Sequence, residues 1–152
     1  MNSAQEWLDA YSESHKNAIN KRIHWICVPL IMLSLLGILW PIQIPFIFVS
    51  EYFNFCTMLI VVVSFYYFRL SAPMGTGMLL ISLAMIFAIK FINQYEYNTN
   101  PYIIIFISSW IGQFTGHKIE GKKPSFFKDL QFLLIGPLWV LAQAYDYLNI
   151  KY

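Results

Sequence analysis

The sequence predicts an all-α, multi-span helical membrane protein: about four transmembrane helices, with an N-terminal surface helix before them and a C-terminal re-entrant or interfacial helical hairpin after. Three observations carry this. Of the 152 residues, 58% are apolar and only 12% charged, with a mean hydropathy of +0.54, well outside the usual balance of a soluble domain. Charge-free stretches cover 25–50, 52–68, 70–89, 97–116 and 130–145, and a helix needs roughly 17 to 25 apolar residues to cross a bilayer. Basic residues also gather on alternate connections, as membrane topology requires. The length fits a single membrane-embedded domain over residues 1–152.

The elements follow in order. Ser3-Ala-Gln-Glu6 has the form of a capping box, in which the serine oxygen and the glutamate satisfy each other's backbone amides, so a surface helix is expected from about Ala4 to Glu13. The polar first 24 residues, with Glu6, Asp9, Glu13, Lys16, Lys21 and Arg22, make the apolar run too late and too long for a cleaved signal, so this end is expected to be retained. A second helix is expected to start near Asn17 or Asn20, bend at Pro29 and provide a first span over about 21–40. Pro41 and Pro45 mark a turn before Glu51, and a second span covers 53–68. Arg69 to Gly77 reads as a connection, 76–92 as a third span, Asn93 to Pro101 as a polar loop and 101–116 as a fourth. Gly136-Pro137 divides the last run into two pieces too short to cross alone, which favours a broken helix over 128–148 in a re-entrant or interfacial hairpin, with a fifth continuous span as the alternative.

Lys16, Lys21 and Arg22 precede span one, Arg69 follows span two, and Lys118, Lys122, Lys123 and Lys128 follow span four. The opposite loops hold Glu51 and Glu96 but no base, so both ends of the four-span unit are expected on the cytoplasmic side of a bacterial cytoplasmic or endoplasmic reticulum membrane. A net charge of +2 with clustered bases argues against a nucleic-acid partner. Cys27 and Cys56 fall at opposite ends of their spans, some 30 Å apart, which excludes a disulfide between them. The oligomeric state is open at this level.

Three histidines remain, His15, His24 and His117, each just outside or at the rim of an apolar run. An even number of spans separates His24 from His117, so all three are expected on one membrane face, with Glu120 one helical turn beyond His117. Three imidazoles and a carboxylate suffice for a mononuclear metal site, and nitrogen and oxygen ligands without thiolates suit zinc or non-haem Fe(II). One condition attaches. His15 and His24 are nine residues apart, about two and a half turns, which puts them on opposite faces of a continuous helix. Joint ligation therefore needs a break between them, and Asn17 and Asn20 are residues that cap helices. Tyr11, Asn20 and Gln113 are polar groups near the histidines that could fix the imidazole tautomers. Interfacial anchoring of each histidine is the simpler alternative, and the lysines near His117 are expected to face lipid phosphates.

The stretch His15-Lys-Asn-Ala-Ile-Asn20-Lys-Arg-Ile-His24-Trp-Ile-Cys-Val-Pro29 resembles a motif of the yeast-type 2-hydroxy fatty acid dioxygenases, a family once catalogued as a domain of unknown function. Trp110-Ile-Gly-Gln113-Phe-Thr-Gly116-His117-Lys-Ile-Glu120-Gly-Lys-Lys-Pro124 and Leu134-Ile-Gly-Pro137-Leu-Trp extend the resemblance over nearly the whole chain. It implies an Fe(2+)-dependent membrane enzyme that uses O2 to shorten a 2-hydroxy fatty acid by one carbon. It also implies catalytic and metal-ligating roles for His15, His24 and His117, and Asn20, Gln113 and Glu120 match its motif positions and are expected as cofactor-binding residues, while Glu120 as a fourth metal ligand rests on its spacing from His117 and not on the resemblance. Two departures accompany it: one residue fewer between Gly-His and Glu120, and Gln143 where those members carry a glutamate. A late carboxylate, if the chemistry needs one, would have to be Asp146. A small transporter or scaffold, and a zinc-dependent membrane hydrolase, are the alternatives.

Overall fold

The computed structural model describes residues 4–44, 50–121 and 126–152, the side chains of 126–131 excepted. The Ser3 half of the capping box, Pro45, Lys122, Lys123 and Pro124 lie outside the described residues, as does the side chain of Lys128. Among the described residues the regular structure is helical throughout: α1 (Ala4–Ser12), α2 (Ala18–Leu39), α3 (Phe55–Leu70), α4 (Ala72–Ile92), α5 (Asn100–Glu120) and α6 (Phe126–Tyr147).

Local chemistry explains the boundaries. α1 buries Leu8 and Tyr11, three apart on one face, and closes with Glu13 N–H on the Asp9 carbonyl. Asn17 then caps α2, its side chain accepting from the N–H groups of Ile19 and Asn20. The break demanded between His15 and His24 is therefore present, over the residues from Glu13 to Asn17. Asn54 and Thr57 form a capping box at the start of α3. α5 opens with Pro101 in its first turn and stops at Gly121, whose φ of 72° is the left-handed conformation that ends a helix.

Two expectations are corrected. The connection read from Arg69 to Gly77 shrinks to Ser71, which ends α3 and caps α4 by accepting from Met74 N–H. Pro73 sits in the first turn, where no amide is needed. Gly75 and Gly77 are packing positions: a Cβ on Gly75 would meet the Phe68 ring at 2.6 Å, and one on Gly77 would collide with the Tyr145 hydroxyl. The second correction concerns the hairpin, since α6 runs unbroken through Gly136-Pro137. Proline removes a single helical N–H, and packing outweighs that loss. Gly136 leaves room for Tyr11, whose hydroxyl lies 3.1 Å from where a Cβ would stand, and the Tyr67 hydroxyl donates to the Leu134 carbonyl at 2.8 Å.

Two apolar clusters fill the interior. One joins α1, α3, α4 and α6 through Leu8, Tyr67, Met74, Met78, Leu138 and Trp139; the other joins α2 to α5 through Leu36, Trp40, Cys56, Ile60, Ile89 and Tyr102. α2 and α5 run antiparallel in close contact, with Asn20 against Gly116, Cys27 against Gly112 and Tyr102 against Gly37. Ile26, Val61, Phe65, Leu80, Phe87 and Ile111 point outward from these helices and are exposed. Two helices, Ala18–Leu39 and Ala72–Ile92, are long and apolar enough to cross a membrane, and Phe55–Leu70 is a shorter apolar helix. Both cysteines are free thiols.

Candidate metal centre

The three histidines arrive from three places. His15 stands in the connection between α1 and α2, His24 in the second turn of α2, and His117 in the last turn of α5. His15 and His24 are 2% and 1% exposed, and His117 is half-buried. The ring of His117 lies 5.4 Å from that of His15 and 5.1 Å from that of His24, centre to centre. One candidate ligand atom from each histidine lies within 4.8 Å of the other two.

Hydrogen bonding settles which nitrogens face inward. His15 Nδ1 lies 2.7 Å from the Tyr11 carbonyl, and His24 Nδ1 lies 3.0 Å from the Asn20 carbonyl. A carbonyl only accepts, so both Nδ1 atoms carry hydrogen and each neutral ring presents its lone pair at Nε2. Those two Nε2 atoms are 3.0 Å apart. Two lone pairs at that distance repel unless a proton or a cation lies between them. With metal–nitrogen bonds of about 2.1 Å, two donors so spaced are neighbours on one ion. The donor set therefore fits a metal ion, which His15, His24 and His117 would hold.

An aromatic wall encloses the pair. The Tyr11 ring stacks on His15 at 4.0 Å and 9°, and Trp139 of α6 lies 5.5 Å from His15 and 6.5 Å from His24. Trp139 is itself anchored, its indole N–H donating to the Ser12 hydroxyl at 2.9 Å. Sequence reasoning missed Trp139, because an aromatic in an apolar run looks the same whether it faces lipid or a site.

The Glu120 carboxylate is engaged elsewhere. Oε1 accepts from the backbone N–H of Lys16 at 2.8 Å, and Oε2 accepts from Asn17 N–H at 3.0 Å and from the Asn20 side-chain amide at 2.9 Å. These donors sit at the start of α2, where the helix dipole also favours an anion. Desolvation pushes the Glu120 carboxyl up, but the Asn20 amide and the Lys16 and Asn17 backbone outweigh it, leaving it below the usual carboxylate range. Among the described residues, the group able to hold a metal is His15, His24 and His117 without Glu120.

The remaining candidates divide. Asn20 joins the site doubly, since its carbonyl orients His24 and its side chain holds Glu120. The two buried tautomers are thus set by backbone carbonyls. Gln113, expected to share that work, is buried one turn before His117 and its Oε1 has no partner among the described residues. Gln143 accepts from the Trp25 indole at 2.7 Å, and Asp146 accepts from the Tyr152 hydroxyl at 3.2 Å.

A family model described as "2-hydroxy-palmitic acid dioxygenase Mpo1-like" matches residues 1–148. No curated protein and no solved structure matches the chain.

Proposed function

Because the chain belongs to the Mpo1-like family, we propose that it is an Fe(II)-dependent dioxygenase that converts a 2-hydroxy fatty acid and O2 to the fatty acid one carbon shorter. The observation that carries this reading is the pair of inward-facing Nε2 lone pairs of His15 and His24, 3.0 Å apart, with His117 beside them. Neutral nitrogen donors without a thiolate suit Fe(II), and three of them leave coordination positions for other ligands. When bound, the iron supplies Lewis acidity and the one-electron chemistry by which O2 reacts with an organic acid.

The overall reaction balances without an outside reductant. R–CH(OH)–COOH and O2 become R–COOH, CO2 and H2O: the bond to the carboxyl carbon breaks, the hydroxyl-bearing carbon is oxidised to a carboxyl, and O2 takes up the four electrons released. The protein's own part is placement. The carbonyls of Tyr11 and Asn20 hold two rings in the ligating tautomer, Tyr11 and Trp139 exclude water, and Glu120 ties the start of α2 to the end of α5 so that His15 stays against His24. We therefore assign Glu120 a clamping role in place of the fourth-ligand role that its spacing from His117 suggests.

The membrane setting belongs to the same proposal. α2 to α5 serve as four spans of one embedded domain, with the histidine end cytoplasmic beside Lys16, Lys21, Arg22, Arg69 and Lys118. The substrate's chain lies along the apolar helices, each buried CH2 contributing about 0.8 kcal/mol, with its headgroup at the histidines.

Elemental analysis of the anaerobically purified protein tests this most directly. The expected result is near-stoichiometric iron, with conversion of 2-hydroxypalmitic acid to the fifteen-carbon acid under O2 and loss of both in folded His117→Ala. Zinc in place of iron would favour a hydrolase, and absence of bound metal a transporter or scaffold.

A further inference from the structure

Gln113 is 5% exposed and its Oε1 has no hydrogen-bond partner among the described residues. A buried oxygen acceptor without a donor is costly, and proteins keep such a group where a ligand or a function requires it. Helix packing defines its place. Gln113 lies one turn before His117 on the same face of α5. The glycines on either side of it seat α5 on α2: a Cβ on Gly112 would meet Cys27 Sγ at 2.7 Å, and one on Gly116 would collide with Asn20 Oδ1, with Ile23 near both. His24 belongs to that same stretch of α2. The unpartnered acceptor therefore sits in the α2–α5 seam, one helical turn inward from the histidine cluster.

We infer that Gln113 is the acceptor for the α-hydroxyl of the 2-hydroxy acid, and so the residue that distinguishes this acid from its unhydroxylated counterpart. The inference rests on the function proposed above. The substrate hydroxyl donates its hydrogen to Oε1 and satisfies the acceptor. An acid with hydrogen at that carbon covers the oxygen and leaves it unpaired, which is the situation in which a buried polar group discriminates most strongly.

The test is competitive displacement of a fluorescent fatty acid from the full chain in lipid nanodiscs, comparing 2-hydroxypalmitic with palmitic acid. The two share a chain, so lipid partitioning largely cancels in the ratio of their affinities. Wild type is expected to prefer the hydroxy acid. Gln113→Leu and Gln113→Met are each expected to lower that preference by about tenfold or more, through weaker binding of the hydroxy acid. Methionine keeps the length and unbranched shape of glutamine, so the test survives a packing defect in the leucine variant. A folded variant that keeps the wild-type preference overturns the role of Gln113 alone. A wild-type protein indifferent to the hydroxyl overturns the proposed substrate and this inference with it.

Discussion

Replacing Glu120 with glutamine separates a clamp from a ligand. The substitution keeps the size of the side chain but removes its charge and puts an N–H donor where one carboxylate oxygen accepts. As built, the two oxygens accept from Lys16 N–H, Asn17 N–H and the Asn20 amide, and a hydrogen bond to a charged group contributes about 1.5–3 kcal/mol. The carboxylate is partly open to solvent and water replaces some of what is lost, so the net cost is taken as about 1–2 kcal/mol. That corresponds to a roughly 5- to 30-fold larger population of the opened junction. Hydrogen exchange at the Lys16 and Asn17 amides should accelerate by this factor in E120Q. Because the clamp supports His15 from behind, metal affinity in a chelator competition should fall by about tenfold, the low end for residues that support ligands. Unchanged exchange at Lys16 and Asn17 would refute the clamp. The pH dependence has a definite sign. The Glu120 carboxyl is held below its ordinary 4.5 in the folded chain, so its contribution is full above that value and fades as pH falls through the lower folded one. The stability gap between wild type and E120Q should be widest at neutral pH and close on the acid side.

Two further predictions concern packing. Gly112→Ala places a Cβ 2.7 Å from Cys27 Sγ and should destabilise the chain by about 1–3 kcal/mol in detergent unfolding followed by circular dichroism. Adding Cys27→Ala should recover part of that loss as a coupling of about 0.5 kcal/mol or more, and strict additivity would mean that α2 and α5 do not meet there. Trp139→Phe keeps an aromatic ring but removes the hydrogen bond to Ser12. Proteolysis within α1 should then accelerate severalfold, corresponding to about 1 kcal/mol, and unchanged cleavage would mean that the bond does not hold α1 down.

Much of the site was legible in the residues because helical geometry is local. A separation of nine positions between His15 and His24 forced a break, and Asn17 was a visible capping group that supplied it. The fate of Gly75, Gly77 and Gly136-Pro137 was not legible in that way. The same residue types that end a helix also allow close approach, and only Phe68, Tyr145 and Tyr11, distant in sequence or brought in by the fold, show which role applies. Glu120 is the clearest instance at the site, since a carboxylate one turn from a histidine has the spacing of a ligand. Its actual partners lie about a hundred residues away, at Lys16 and Asn17 in the connection before α2 and at Asn20 in its first turn.

The sequence by itself determined an all-helical chain, the histidines that form the cluster, and the need to interrupt the helix between His15 and His24. These follow from composition, residue type and the helical period, which act within a few turns of chain. Only the tertiary structure decided that Nε2 of His15 faces Nε2 of His24, that Trp139 walls the pair, and that Glu120 binds the start of α2. The first depends on the path of the chain between α1 and α2, the second on how α6 lies over α1, and the third on the antiparallel register of α2 and α5. That register is set by side chains about a hundred residues apart meeting in space, which no local pattern encodes.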